Sequence, residues 1–461
     1  MSEFIESTAP AHGYAVIGQV EVSTPAEVSY KVEQANAAKT PWKELGVEGR
    51  IKLLEPIRDE FIAQADDIAK IISLETGKPI NNSYGEVLSY AEDITWLFEN
   101  APKALADEVT HEDNNSLHRV AYEPKGVAAV ITPWNFPFGM AVWGTFPNLV
   151  AGNPVVLKTS EENPMVGKAF ESIMLSHDLP EGVFGEVYGD GKVGKDLSEQ
   201  AGIDLLWFTG SSATGKTLYK TAAEQFIPAT LEMGGSNPTL VFEDADAIKA
   251  AQRIFNERFQ NNGQVCTATK RAFIHEQIAK PVTAELKRLV EDRVIGDPFA
   301  EGTETGSLVS AKQAAIAQGQ LDDALSKGAK IWAKKDVPED LSGAYFPQVV
   351  LAGVTRDMKV WHEETFAPIL PVSTFKTEEE AVRLANDTVY GLGARVISAD
   401  LERAERVASR IDAGTVEINE GSRWLPQNPF GGNKSSGMGR EHGVHGLREL
   451  TQPKTISRSK S

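Results

Sequence analysis

The stretch Gly126-Val127-Ala128-Ala129-Val130-Ile131-Thr132-Pro133-Trp134-Asn135-Phe136-Pro137 decides the architecture. An unbroken apolar run, too short for a helix and closed by a proline-fixed loop, predicts a strand over 127–131 buried on both faces. Short apolar runs recur at 154–157, 183–187, 205–208 and 239–242, with helical segments between them. Strands alternating with helices give a doubly wound parallel sheet, because parallel neighbours need crossover connections. Such a sheet binds nucleotides beyond the carboxyl ends of its strands, which is where the loop 132–136 falls.

Outward from this block the pattern changes on both sides. Over 26–100, apolar residues at helical spacing (Ile51, Leu54, Ile57, then Ile68, Ile71, Ile72) predict amphipathic helices. A polar stretch over 107–116 leads into 117–122, whose partial alternation predicts an exposed or edge strand. After Gly235 the alternation resumes, with helices over 245–262 and 278–294 and apolar runs near Ala272, Pro368 and Thr415, so a second α/β domain is expected. The segment 446–461 carries Thr455 and Ile456 after Pro453 and is expected to add a strand to another element or another subunit. No repeat of fixed period and no low-complexity tract interrupts the chain.

At 461 residues the chain is too long for one core and is expected to hold two or three domains. A hydrophobic share of 41% and a charged share of 24% indicate a folded chain. The net charge of −19 disfavours a phosphate backbone as partner, and the basic residues Lys454, Arg458 and Lys460 read as a solvated tail. One cysteine excludes an intramolecular disulfide, and eight histidines without HExxH spacing leave no metal site to expect; His362 and His442 read as surface or loop residues. The start Met1-Ser2-Glu3 lacks signal-peptide features, and no apolar run of about 18 residues is present, so a cytoplasmic protein without membrane contact is expected.

Four clusters can carry chemistry. Gly210-Ser211-Ser212-Ala213-Thr214-Gly215-Lys216-Thr217 follows an apolar run and fits phosphate-loop spacing, which taken literally means an NTPase using Lys216 and Thr217. The physics is broader, since small residues before a helix expose N–H groups to any phosphate, including a dinucleotide's pyrophosphate. Cys266 lies in Asn262-Gly263-Gln264-Val265-Cys266-Thr267-Ala268. A cysteine used for packing belongs among apolar neighbours, whereas a nucleophile needs a polar loop that stabilises the thiolate. Glu232 precedes the paired Gly234-Gly235, which serve either a turn or a close approach holding a carboxylate at a cleft edge. In the loop 132–136, Asn135 can offer an amide N–H to an oxyanion; Lys158 and Glu161, after a strand, can hold ribose hydroxyls.

Together these segments closely resemble the aldehyde dehydrogenase superfamily over nearly the whole chain. The resemblance is carried by Pro133-Trp134-Asn135-Phe136-Pro137, Lys158-Thr159-Ser160-Glu161, Phe208-Thr209-Gly210-Ser211, Glu232-Met233-Gly234-Gly235, Gly263-Gln264-Val265-Cys266, Glu364-Thr365-Phe366, Pro429-Phe430-Gly431-Gly432 and Ser436-Gly437. It implies a Rossmann-like cofactor domain (1–106 and 126–231), an α/β catalytic domain (232–432) and a β oligomerisation arm (107–125 and 443–461) giving homodimers or homotetramers. The implied cofactor is NAD or NADP, held by Thr132, Trp134, Lys158, Glu161, Gly210, Ser211, Gly234, Glu364 and Phe366. The implied chemistry oxidises an aldehyde to an acid through a thioester on Cys266. Asn135 serves the oxyanion, Glu232 is the base for hydrolysis, and Lys158 is counted among the catalytic groups. NAD is favoured because Glu161 repels a 2′-phosphate.

Within the superfamily, Asn262-Gly263-Gln264 and Lys270-Arg271 resemble succinate-semialdehyde dehydrogenases and related bacterial enzymes. Many members acting on carboxylated semialdehydes carry arginine where this chain has Trp143, and often another at Gln260; an arginine fork matches a carboxylate and these side chains do not. Arg423 is the expected substitute for succinate semialdehyde. The alternative is an uncharged aliphatic or aromatic aldehyde in a pocket of Phe138, Trp143 and Trp424.

Overall fold

The computed structural model describes residues 3–419 and 425–460. Two sheets organise it. The first has six strands in the order Gly437–Met438, Ala229–Met233, Leu205–Gly210, Ala128–Ile131, Val155–Lys158, Phe184–Glu186, all parallel except the first. Its faces show why the runs are continuously apolar. Ala128, Val130, Val155, Leu157, Leu205 and Trp207 enter one core, while Ala129, Ile131, Val156, Leu206 and Phe208 enter another on the opposite side. With helices on both faces, every position of Ala128–Ile131 and Val155–Lys158 is buried.

The second sheet has seven strands in the order Lys330–Lys335, Gln348–Ala352, Ile369–Phe375, Arg271–His275, Pro238–Val241, Gly393–Ile397, Thr415–Ile418. Only Lys330–Lys335 runs antiparallel. The run expected at 239–242 therefore belongs to this sheet, and the first sheet gains Ala229–Met233 instead. That strand escapes an apolar-run search because Thr230 and Glu232 interrupt it, although both are buried.

The remaining strands form two small sheets. The segment expected as an edge strand at 117–122 is Ser116–Pro124, the middle strand of a three-stranded antiparallel sheet between Thr451–Ser459 and Glu108–Glu112. The C-terminal strand Thr451–Ser459 thus pairs with another element of its own chain, one of the two alternatives expected. An N-terminal hairpin, Phe4–Ala9 with Ala15–Glu21, was not expected. Its tip reaches the second lobe, where Ala344 N–H donates to the Pro10 carbonyl at 2.8 Å.

The helix expected over 245–262 is Ala247–Phe259, started by Asp246, whose carboxylate accepts from the N–H groups of Ile248 and Lys249. It is followed by a tight turn, Gln260–Gly263, in which Asn261, Asn262 and Gly263 all take left-handed φ values of 45°, 57° and 75°. Asparagine and glycine tolerate this backbone better than other residues, and the break aims the chain toward the first sheet.

Candidate active site

In the first sheet, chain order runs outward in both directions from Ala128–Ile131: toward Val155–Lys158 on one side and Leu205–Gly210 on the other. Connections diverge at this point, leaving a crevice beyond the strand ends. The loops 132–136 and 210–211 border it. It widens into a cavity of about 1090 Å³ shared with the second lobe and lined by Trp134, Asn135, Gly210, Ser211, Glu232, Gly234, Cys266, Glu364 and Phe366. Segments far apart in the chain thus meet as the motifs implied.

Cys266 sits just after the left-handed turn, and the Asn237 side-chain amide donates to its carbonyl at 2.6 Å. Asn135 donates from Nδ2 to the Gln264 carbonyl at 3.0 Å, and its own carbonyl accepts from the Asn261 amide at 2.9 Å. An amide has two N–H groups, so a second remains on Asn135 for a ligand beside the sulfur. Burial, with the carboxylates of Glu364 and Glu232, pushes the Cys266 thiol up to about 12, and Lys270 opposes them.

Glu232 is buried at the strand end. Burial raises its carboxyl well above 4.5, while Arg440 and the Gly432 N–H act the other way. The adjacent glycines prove to be needed for close approach, since a Cβ on Gly234 would lie 1.9 Å from a Glu364 oxygen. The other Glu364 oxygen accepts from Gly235 N–H at 3.1 Å. Trp134 and Phe366 meet edge to face, their centres 5.5 Å apart.

The dinucleotide elements fit a phosphate-bearing ligand. Ser211 caps the helix Ser212–Gln225, accepting from Thr214 N–H, and the first-turn N–H groups of a helix attract anions. The hydroxyls of Thr132 and Thr209 are buried without a hydrogen-bond partner among the described residues. Lys158 and Glu161 pair at 3.2 Å at the end of the neighbouring strand, outside the lining of the cavity. Lys216 and Thr217 are exposed on the helix and line no part of the cavity, so the NTPase interpretation has no site here.

The substrate end corrects the sequence in one place. Phe138 is 1% exposed and packs on Phe61 and Phe170, in the core rather than in the pocket. Trp143, on the same helix, does line the cavity, because five residues turn a helix by about 140°. His442, expected at the surface or in a loop, lies in a bend before the helix Gly443–Glu449 with its side chain largely covered; burial holds it down to about 3, and its ring is 4.1 Å from that of Trp143. Gln260 lines the cavity as expected. Arg423 and Trp424 lie outside the described residues.

Other lining residues escape the sequence reading. Glu86, Tyr90 and Asp93 come from the helix Ile80–Ala104, whose apolar residues draw attention to its core face. Their spacing of four and then three places them together on one side, which is the signal that could have found them. Glu441 lies beside Glu232, buried, with neither oxygen hydrogen-bonded among the described residues; burial and Glu232 raise its carboxyl well above 4.5.

A family model described as the aldehyde dehydrogenase family matches residues 1–456. The chain belongs to the aldehyde dehydrogenase family. As the motifs implied, it is an oxidoreductase of aldehydes dependent on NAD or NADP. This aldehyde dehydrogenase is 37% identical over 458 residues to the peroxisomal aminoaldehyde dehydrogenase 1 of Pisum sativum, covering 96% of this chain and 90% of the relative. Among solved structures it resembles a betaine aldehyde dehydrogenase of Staphylococcus aureus in complex with NAD+ (TM-score 0.94, 31% identity, covering 99% of this chain and 91% of that one). It also resembles an NADP-dependent enzyme of E. coli (TM-score 0.95, 32% identity, covering 99% and 95%). No helix among the described residues is long and apolar enough to cross a membrane.

Proposed function

We propose that this aldehyde dehydrogenase oxidises an aldehyde whose far end is cationic or neutral, using Cys266 as nucleophile and NAD as the preferred cofactor. The observation carrying the substrate class is the cavity's charge. Its lining carries Glu86, Glu92, Asp93 and Glu364 as carboxylates, with Glu86 paired to Lys78 and Glu364 to Lys270, and the buried carboxyls of Glu232 and Glu441 beside them. A low-dielectric cleft of one sign concentrates ligands of the other. The name of the pea relative points the same way, toward an aminoaldehyde. Succinate semialdehyde, the expectation from the motifs around Cys266, has Arg423 as its candidate partner and meets acids elsewhere.

In this mechanism the Cys266 thiolate attacks the carbonyl carbon, forming a C–S bond as the π pair moves to oxygen. The oxyanion is held by the second Asn135 N–H and the Cys266 backbone N–H. Bound NAD(P)+ supplies the acceptor for the hydride that leaves this carbon. Glu232 then takes a proton from water as the water oxygen attacks the thioester; the C–S bond breaks, releasing the acid and restoring the thiolate. Glu161 beside Lys158 favours a ribose 2′-hydroxyl over a 2′-phosphate, and comparing kcat/KM with the two cofactors tests it.

The three-stranded sheet supports an arm that joins subunits into a homo-oligomer, because its outer strands keep unpaired backbone edges within the chain. The deciding experiment measures NADH from matched four-carbon aldehydes ending in amine, methyl or carboxylate, with wild type and Cys266→Ala. Highest kcat/KM for the amine and none for Cys266→Ala is expected. A preference for the carboxylate overturns the substrate class, and turnover by Cys266→Ala overturns the mechanism.

A further inference from the structure

Lys270 precedes the strand Arg271–His275, and its side chain is 1% exposed. Its ammonium touches a whole short segment: Nζ stands 3.4 Å from Glu364 Oε1, donates to the Thr365 carbonyl at 3.3 Å and lies 4.4 Å from the centre of the Phe366 ring. A second buried cation, Arg258, donates to the Thr365 carbonyl at 3.0 Å and to the carbonyl of Ala367. Both cations draw on one carboxylate, Glu364, which is already shared with Gly235 N–H. Buried charge is costly unless it is paired, and two cations over one anion leave a positive excess. Besides Glu364, Cys266 is the group whose anion would favour the Lys270 ammonium.

We propose that Lys270 is a positioning residue with two tasks: its ammonium is the counter-charge under which Cys266 ionises, and it fixes Glu364 where the cofactor's ribose is to be held. This rests on Cys266 as nucleophile and Glu364 as a cofactor ligand. Burial brings Lys270 down to about 8, against the pull of Glu364 and Cys266. Facing Cys266 are Glu364, Lys270, Glu232 from the strand Ala229–Met233 and Tyr90 from the helix Ile80–Ala104. Arg258 acts on Lys270, and Glu441 acts on Tyr90 and sits beside Glu232. Lys270 is the cation in this set that opposes the carboxylates at the sulfur.

A lone cysteine gives alkylation a single-site readout. The purified enzyme is treated with iodoacetamide across pH, and modification is followed by mass spectrometry in wild type, Lys270→Met and Lys270→Arg. Lys270→Met is expected to slow alkylation about tenfold at pH 8, moving its midpoint up by about one unit, and to raise KM for NAD. Lys270→Arg is expected to recover most of the alkylation rate. A pH profile in Lys270→Met that matches wild type overturns the proposal. If that variant is unfolded by circular dichroism, Lys270→Gln takes its place against Lys270→Arg, and identical profiles in those two overturn it equally. Alkylation needs no turnover, so this result stands apart from whether Cys266→Ala loses aldehyde oxidation.

Discussion

The side-chain amide of Asn135 donates to the backbone carbonyl of Gln264 at 3.0 Å, tying the loop after a strand of the first sheet to the segment that carries Cys266. One N–H is spent on registering the two lobes, and the other is the donor that the proposed mechanism gives to the reacting oxygen. Asn135→Ala is therefore expected to lower kcat by about 100-fold or more, the usual cost of one oxyanion donor, with a much smaller change in aldehyde KM. Steady-state kinetics on the folded variant checks it; an unchanged kcat contradicts the assignment.

Glu232 can act as a base only when ionised, and burial raises its carboxyl well above 4.5. Hydrolysis should accordingly rise with pH along a limb centred well above the ordinary carboxylate range. Glu232→Gln is expected to remove steady turnover and leave one rapid burst of NADH per site, because hydride transfer precedes the step that needs the base. Stopped-flow absorbance reads both, and normal steady-state turnover in this variant refutes the role.

Asp93 accepts the indole N–H of Trp143 at 3.2 Å while lining the cavity. Asp93→Asn keeps an acceptor there but removes a charge. It is expected to lower kcat/KM for an amine-bearing aldehyde about tenfold relative to a neutral one of equal length. Equal losses for both substrates would point to positioning of Trp143 rather than to charge.

Phe138 offers a test of the corrected pocket. Phe138 is a buried core ring packed edge to face against Phe61 and Phe170, so its truncation to alanine is expected to cost about 3–5 kcal/mol of stability. Denaturant unfolding measures this, and aldehyde KM should stay within about twofold of wild type in the folded fraction.

Glu186, away from the reacting groups, accepts the Thr159 hydroxyl at 2.6 Å and is pushed up to about 8 by burial. Its folded value lies above the unfolded one, so its contribution is complete below about 4.5 and is lost as pH rises toward about 8. Each pH unit across that window is worth at most about 1.4 kcal/mol. Glu186→Gln, which cannot ionise, should gain thermal stability over wild type at pH 8 compared with pH 5. An equal difference at both values contradicts this.

Much of this molecule is legible in its amino-acid order. Strands buried on both faces announce themselves as unbroken apolar runs, so 127–131, 154–157, 183–187 and 205–208 can be found from residue type alone. Cys266, Glu232 and Asn135 stand out because polar and glycine-rich surroundings are wrong for packing. The strand Ala229–Met233 is invisible for the opposite reason: Glu232, which the site needs, breaks its apolar pattern.

What the chain dictates locally is which segments are strand, helix or turn, and where a nucleophile and a base are available, since these follow from short-range periodicity and chemistry. Only the packed molecule decides which face of a helix meets which lobe. That choice sends Phe138 into the core and Trp143 to the cavity, covers the His442 side chain, brings Glu86, Tyr90, Asp93 and Glu441 to the cavity that Cys266 lines, and sets Lys270 to act on its sulfur. The helix Ile80–Ala104, the segment around Cys266 and Glu441 are separated by more than a hundred positions from one another, and only tertiary packing brings them to one cavity.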